Sequence, residues 1–271
     1  MNFKVPEARH VLVVGNSQTQ YCVDDEILDT WVNLSRNGEF YLQTLPNLRE
    51  VLKHNPHIDT VIVSAGLSSF KHYQDSSFRK NPLDFFHHVQ DRMLLSTPEE
   101  LEEYKVNEYY PFLYTITSGY NLILARFTPE GYRPLTDNYL LKDIMKHEEE
   151  MKKGGYEYTL ERIEKDSSLQ VKYLNKIIEE CKKRNVKCVL FSIPEYKTDY
   201  FYAKDGYLDW LEKADTSVLV ADYTNLELPD STYYRDIVHL NQEGAQYFSR
   251  YLKEYGLRAL PVREYLQQNG H

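Results

Sequence analysis

Cysteine is scarce in this sequence: Cys22, Cys181 and Cys188 are the only three in 271 residues. Three thiols cannot all pair within one chain, and no CxxC or Cys/His cluster offers zinc-ligand spacing. Neither a disulfide framework nor a metal or other cofactor site is expected. A basic excess is also lacking. Lys and Arg number 32 against 41 Asp and Glu, a formal net charge of -9, whereas a nucleic-acid-binding surface needs cations to neutralise phosphates. No apolar run approaches the roughly 20 residues of a membrane-spanning helix. The opening MNFKVPEARH is polar and carries no signal-peptide core. The expectation is therefore a cytoplasmic protein, or one tied to a membrane only through an anchor upstream of these residues. Tryptophan is limited to 2 and phenylalanine to 11, while tyrosine reaches 24. Tyr joins an apolar ring to a polar tip, which suits either a wet aromatic surface or a ligand groove.

Internal repeats and low-complexity linkers are absent too, and the length suits a single domain over 1–271. His10 to Val14 (HVLVV) is a continuous apolar run of the kind found in buried parallel strands. Asp24 is an N-cap candidate for a helix over DEILDTW. Val32 to Leu34 reads as a short second strand. Phe40, Leu45, Leu48, Val51 and Leu52 then have helical spacing up to the breaker Pro56. Thr60 to Ser64 (TVIVS) is the third strand. Strand–helix–strand–helix–strand at this spacing predicts a parallel sheet with right-handed crossovers. Farther on, a helix over about 160–183, strands at 186–193 and 217–223, and a last helix from Asn241 complete a three-layer α/β/α class. Between them, about 70–155 is rich in Tyr, Phe, Lys and Glu. It is too long for a plain loop and predicts a helical insertion, the place for a lid or a substrate-selecting wall.

In open α/β sheets, sites form at the carboxyl ends of the strands. Directly after the first strand comes Gly15-Asn16-Ser17, where Gly permits a tight turn and Ser17 presents its hydroxyl above the sheet. The triplet is neither a GxxxxGK[ST] phosphate loop nor a GxSxG elbow, because Thr19 stands at the second Gly position. Near the other end, Asp236 and His239 are spaced by three, which brings both side chains to one side of a turn. A carboxylate there holds an imidazole in the tautomer that can take a proton from serine. Taken singly, each pair has a plainer role as helix cap or turn. Elsewhere, adjacent His87 and His88 point to different helix faces and do not suit a shared metal. Glu148 to Lys153 (EEEMKK) reads as a solvated helix end, and Cys22 as a small buried hydrophobe.

Together the two motifs resemble the SGNH (GDSL-type) hydrolases. GNS is similar to their first block and DIVH to their last. Asn33-Leu-Ser-Arg-Asn-Gly38 stands where the second block places its Gly. The ending HLNQEGAQYF resembles the branch of cell-envelope proteins related to polysaccharide O-acetylation and D-alanine transfer. The resemblance implies a flavodoxin-like SGNH fold with the insertion after the third strand, and acyl-enzyme chemistry on an O-acyl ester of a carbohydrate. It makes Ser17 the nucleophile, His239 the base and Asp236 its orienting acid, with Asn16 as site neighbour. The N–H groups of Ser17 and Gly38 and the side chain of Ser68 would form the oxyanion hole. Gly66-Leu67-Ser68-Ser69 departs from the family's GxND, with Ser68 at the Asn position, and Asn16 replaces the usual Asp of the first block. The implied partner is a small-molecule or glycan acyl ester in a bacterial cell envelope. The alternative is a catalytically weak SGNH-like scaffold that binds polysaccharide or a protein partner.

Overall fold

Successive residues of the strands face opposite sides of one sheet, and both sides are apolar. Leu12, Val14, Val61, Val63, Leu190 and Val220 pack into one buried cluster. Val11, Val13, Ile62, Val189, Phe191 and Ala221 pack into another. A strand with two buried faces needs a helical layer on each, and that requirement produces the three-layer architecture. The computed structural model describes residues 4–66, 95–105, 131–140, 142–146, 168–196 and 204–270.

In chain order the elements are β1 (Val11–Val14), α1 (Ser17–Cys22), β2 (Trp31–Asn33), α2 (Tyr41–His54), β3 (Thr60–Ser64), α3 (Pro98–Lys105), α4 (Ser168–Lys183), β4 (Lys187–Ser192), α5 (Lys204–Lys213), β5 (Leu219–Asp222), a 3₁₀ turn (Ser231–Tyr233), α6 (Gln242–Tyr255), β6 (Leu260–Pro261) and α7 (Val262–Gln268). The six-stranded sheet runs β2-β1-β3-β4-β5-β6. Its first five strands are parallel and β6 is antiparallel to β5. The α/β class expected from the sequence is what forms. Residues of α2, α4, α5 and α7 build the first cluster, and residues of α1 and α6 the second. The strand order reverses between β1 and β3, the place where doubly wound sheets open a crevice for ligands. Ser17 follows β1 directly, at that crevice.

Two local expectations are corrected. No helix starts at Asp24; its carboxylate instead accepts the Glu26 N–H at 3.0 Å, a local turn that competes with helix formation. The helix of this crossover begins earlier, at Ser17. At the C-terminus the chain continues past α6 into β6 and α7. Within the predicted insertion, KNPLDFFHHVQDRML (80–94), expected to be helical, lies outside the described residues, as do His87, His88 and Glu148 to Lys153. Of LTDNYLLKDIMKHEEEMKK (135–153), also expected to be helical, residues 140 and 142–146 are helical and 135–139 are not.

Gly15 sits at the reversal with φ +145°, and a Cβ there would lie 2.4 Å from Ser64 Cβ. Gly15→Ala is therefore expected to destabilise the fold by about 2–4 kcal/mol, from overpacking plus backbone strain. Urea denaturation followed by circular dichroism measures it; an unchanged midpoint would show that β1 and β3 can part at no cost.

Candidate active site

Local hydrogen bonds explain why the first motif takes its shape. Asn16 Oδ1 accepts from the Gln18 N–H at 3.0 Å, capping α1, and from the Ser64 hydroxyl at 3.1 Å. An amide oxygen serves both donors, so Asn does the capping that Asp would do, without the charge. Ser17 becomes the first residue of α1, half-buried, with its side chain at the end of the sheet.

The second motif is a tight loop between the 3₁₀ turn and α6. Tyr234 and Leu240 form an antiparallel bridge, and the Arg235 N–H donates to His239 O at 3.0 Å. Asn241 caps α6 by accepting the Gly244 N–H at 3.0 Å, and its amide donates to Thr232 O at 2.5 Å. Gly244 permits a close approach: a Cβ there would meet Tyr233 O at 2.2 Å. The HLN-x-x-GA string is thus the geometry that fastens the loop to α6. The Leu240 N–H donates to Cys22 Sγ at 3.4 Å, joining the loop to α1. Burial pushes the Cys22 thiol far up, so it stays neutral, as a small buried acceptor.

These two frames bring Ser17, His239 and Asp236 together. The Ser17 hydroxyl lies 2.9 Å from His239 Nε2, and His239 Nδ1 lies 2.9 and 3.0 Å from the two Asp236 oxygens. Asp236 Oδ1 also accepts the Val238 N–H at 3.0 Å, and Oδ2 receives Arg235 Nη1 at 3.2 Å. An ionised carboxylate on Nδ1 sets the tautomer with the proton on that nitrogen, which leaves Nε2 to accept from serine. The Tyr21 ring meets the imidazole edge-on at 5.8 Å between centroids.

The turn after β2 lies alongside. The Arg36 N–H donates to Gly15 O at 2.9 Å, and the Asn37 N–H to Gln20 Oε1 at 2.7 Å. Gly38 has φ +71°, a left-handed conformation suited to glycine. Among the described residues, neither the Ser17 nor the Gly38 N–H donates to a protein acceptor. Asn33 is structural, its amide donating to Thr19 O and Val23 O at 2.9 and 2.8 Å. Ser68 lies outside the described residues.

Part of the predicted insertion stands against the Asp–His loop. The Tyr139 N–H donates to Arg235 O at 2.7 Å and the Gln242 N–H to Leu135 O at 2.9 Å. Asp143 Oδ2 accepts the Ile237 N–H at 3.3 Å. Between this segment, the 3₁₀ turn and Tyr196 lies a cleft of about 520 Å³, with Tyr139, Lys142, Ser231 and Thr232 also among its lining residues. The tyrosine excess divides accordingly. Tyr139 is 48% exposed in the cleft, but Tyr223 and Tyr234, next to the loop in sequence, are 5% exposed and belong to the core. Tyr41, Tyr207 and Tyr265 are buried too, their hydroxyls donating to Ser64 O, Ala65 O and Asp222 Oδ2 at 2.6, 2.8 and 2.5 Å. Tyr104, Tyr109, Tyr110, Tyr114 and Tyr120 fall where no side chain is described. Sequence reasoning missed Arg235, Asp143 and Glu195, whose Oε1 accepts from Gln18 Nε2 at 2.9 Å. The available signal for Glu195 was its place just past the carboxyl end of a buried strand.

A protein-family model matches residues 151–258, less than half of the chain. A search of curated proteins found no match. Among solved structures, the chain is similar to a Bacteroides fragilis protein described as an acylhydrolase, at 12% identity and TM-score 0.40, over 97% of this chain and 90% of that one. It is also similar to a GDSL-like lipase from Bacteroides thetaiotaomicron, at 11% identity and TM-score 0.39, over 94% and 91%.

Burial pushes the Asp236 carboxyl up. The hydrogen bond from His239, the charge of that ring, the Val238 N–H and the Arg235 guanidinium outweigh it, leaving the group below the ordinary carboxylate range. A depressed folded-state value stabilises the fold fully above the unfolded value, and this contribution is lost as pH falls through the folded value. Asp236→Asn should therefore lose stability at neutral pH and show a shallower loss on acidification than the wild type. Urea midpoints across an acid pH series measure it; parallel curves would mean that Asp236 is not held ionised by its partners.

Proposed function

We propose that this protein is a serine esterase or O-acyltransferase of the SGNH type, acting on an O-acyl group, acetyl foremost, of a carbohydrate. The observation that carries the reading is the continuous relay Ser17–His239–Asp236, with each link at 2.9 Å, at the strand-order reversal of a parallel sheet.

In the proposed reaction His239 Nε2 takes the Ser17 proton as Oγ bonds to the acyl carbon. Asp236 stabilises the imidazolium so formed. The carbonyl oxygen becomes an oxyanion that the N–H groups of Ser17 and Gly38 receive, with Ser68 as the expected third donor. Each such donor is typically worth on the order of 3 kcal/mol. The tetrahedral species collapses as His239 returns the proton to the departing alcohol oxygen, leaving Ser17 acylated. Water, or a sugar hydroxyl in the transfer reaction, then attacks with His239 again as base. The carbohydrate assignment rests on the resemblance, and the cleft between the 138–144 segment and the 3₁₀ turn that leads into the Asp–His loop supports it. Tyr139 and Tyr196 line it together with Lys142, Ser231 and Thr232, a mixture of aromatic and polar residues suited to hydroxyl-rich rings.

Ser17→Ala is expected to lower hydrolysis of p-nitrophenyl acetate by about 10³-fold or more and to abolish labelling by a fluorophosphonate probe. A folded wild type that neither hydrolyses the ester nor takes the label would sink the catalytic reading. Glycan binding that survives Ser17→Ala would then select the scaffold alternative.

A further inference from the structure

Glu195 is a carboxylate for which the proposed chemistry has no use, yet it is only 5% exposed. It lies just past the end of β4, between the two halves of the relay. Its side chain accepts from Gln18 Nε2 at 2.9 Å, in a buried contact across 177 residues. Gln18, also 5% exposed, is the residue after Ser17. The next residue, Tyr196, donates its N–H to Ile237 O at 2.9 Å, and Ile237 follows Asp236. The Glu195 N–H donates to Thr224 O at 3.3 Å, anchoring the segment to the chain leaving β5. Two consecutive residues thus hold the nucleophile's neighbour on one side and the acid's neighbour on the other.

We propose that Glu195 is a positioning residue: its bond to Gln18, with the Tyr196–Ile237 bond beside it, sets the register between the first turn of α1 and the Asp–His loop. A bond accepted by a carboxylate in a buried setting is stronger than a neutral one, so the first turn of α1 is held more firmly than its cap alone would hold it. Short helices are marginal on their own, and α1 has only 6 residues. With the brace gone, the turn that carries the Ser17 hydroxyl and N–H gains freedom relative to His239. Misplacement at that junction costs rate rather than affinity, because it spoils alignment in the transition state. The inference rests on the serine-hydrolase reading for its kinetic consequence and on the geometry alone for its structural one.

The test has two readouts on Glu195→Ala, Gln18→Ala, the double variant and Glu195→Gln. With p-nitrophenyl acetate, both alanine variants should lose about tenfold or more in kcat with KM within about twofold. The double variant should lose no more than the worse single one. Glu195→Gln keeps an acceptor for Gln18 and should recover most of kcat. The second readout needs no turnover: the downfield proton resonance of His239 Nδ1–H reports the relay in the resting protein. It should persist in the wild type and Glu195→Gln and broaden or vanish in the alanine variants. Alanine variants with wild-type kcat and an intact resonance would overturn the brace while leaving the hydrolase reading standing. An additive double variant, or Glu195→Gln as impaired as Glu195→Ala, would overturn it as well. A wild type without esterase activity whose resonance still follows the predicted series would overturn the hydrolase reading and support the brace.

Discussion

The contact between the Ser17 hydroxyl and His239 Nε2 joins positions 222 residues apart in the chain, and the rest of the site depends on it. Each end is delivered by a short motif that is rigid for local reasons. On one side, Gly15 allows β1 to turn against Ser64, and Asn16 caps α1 while holding the Ser64 hydroxyl. On the other, Asn241 and Gly244 fasten the Asp–His loop to α6. The parallel sheet then supplies the distance. Because β1 and β3 are hydrogen-bonded neighbours and β4 and β5 follow in order, the loops after β1 and β5 rise at the same edge, where a serine and an imidazole can meet.

Electrostatics and packing reinforce that meeting from below. The Asp236 carboxylate is shared by His239, Val238 and Arg235, so its ionised form is held by partners despite its burial. Cys22 lies under the loop and accepts from Leu240, with burial keeping it neutral. The segment at 195–196 touches both halves. A site made of pieces from four strand ends gains precision only when the pieces are tied to one another, since loops by themselves open at low free-energy cost.

Much of this was legible in the sequence because it is local. The runs HVLVV and TVIVS and the apolar stretch of β4 signal buried strands, and spacing by three places Asp236 with His239. The helix misassigned to Asp24 shows the limit of such reasoning: Asp caps helices and closes turns by the same bond to a backbone N–H two residues on, and here the turn prevails. β6 left no signal because it is two residues long and ends in Pro261. The Gln18–Glu195 pair was invisible for another reason. Its partners are set by the strand order, which no local pattern reports. The tyrosine excess by itself suggests a wet surface or a groove, whereas Tyr41, Tyr173, Tyr207, Tyr223, Tyr234 and Tyr265 are core residues. The hydroxyls of Tyr41, Tyr207, Tyr223 and Tyr265 are paired inside.

The central claim is that Ser17 becomes acylated through His239. Rapid acid quenching after mixing with p-nitrophenyl acetate, followed by intact-mass and peptide mass spectrometry, tests it most directly. The account predicts one acetyl group per chain at early times, carried by the peptide containing Ser17 and absent from His239→Ala. Ester turnover with no acetyl on that peptide, or acetylation that is unchanged in His239→Ala, would contradict it.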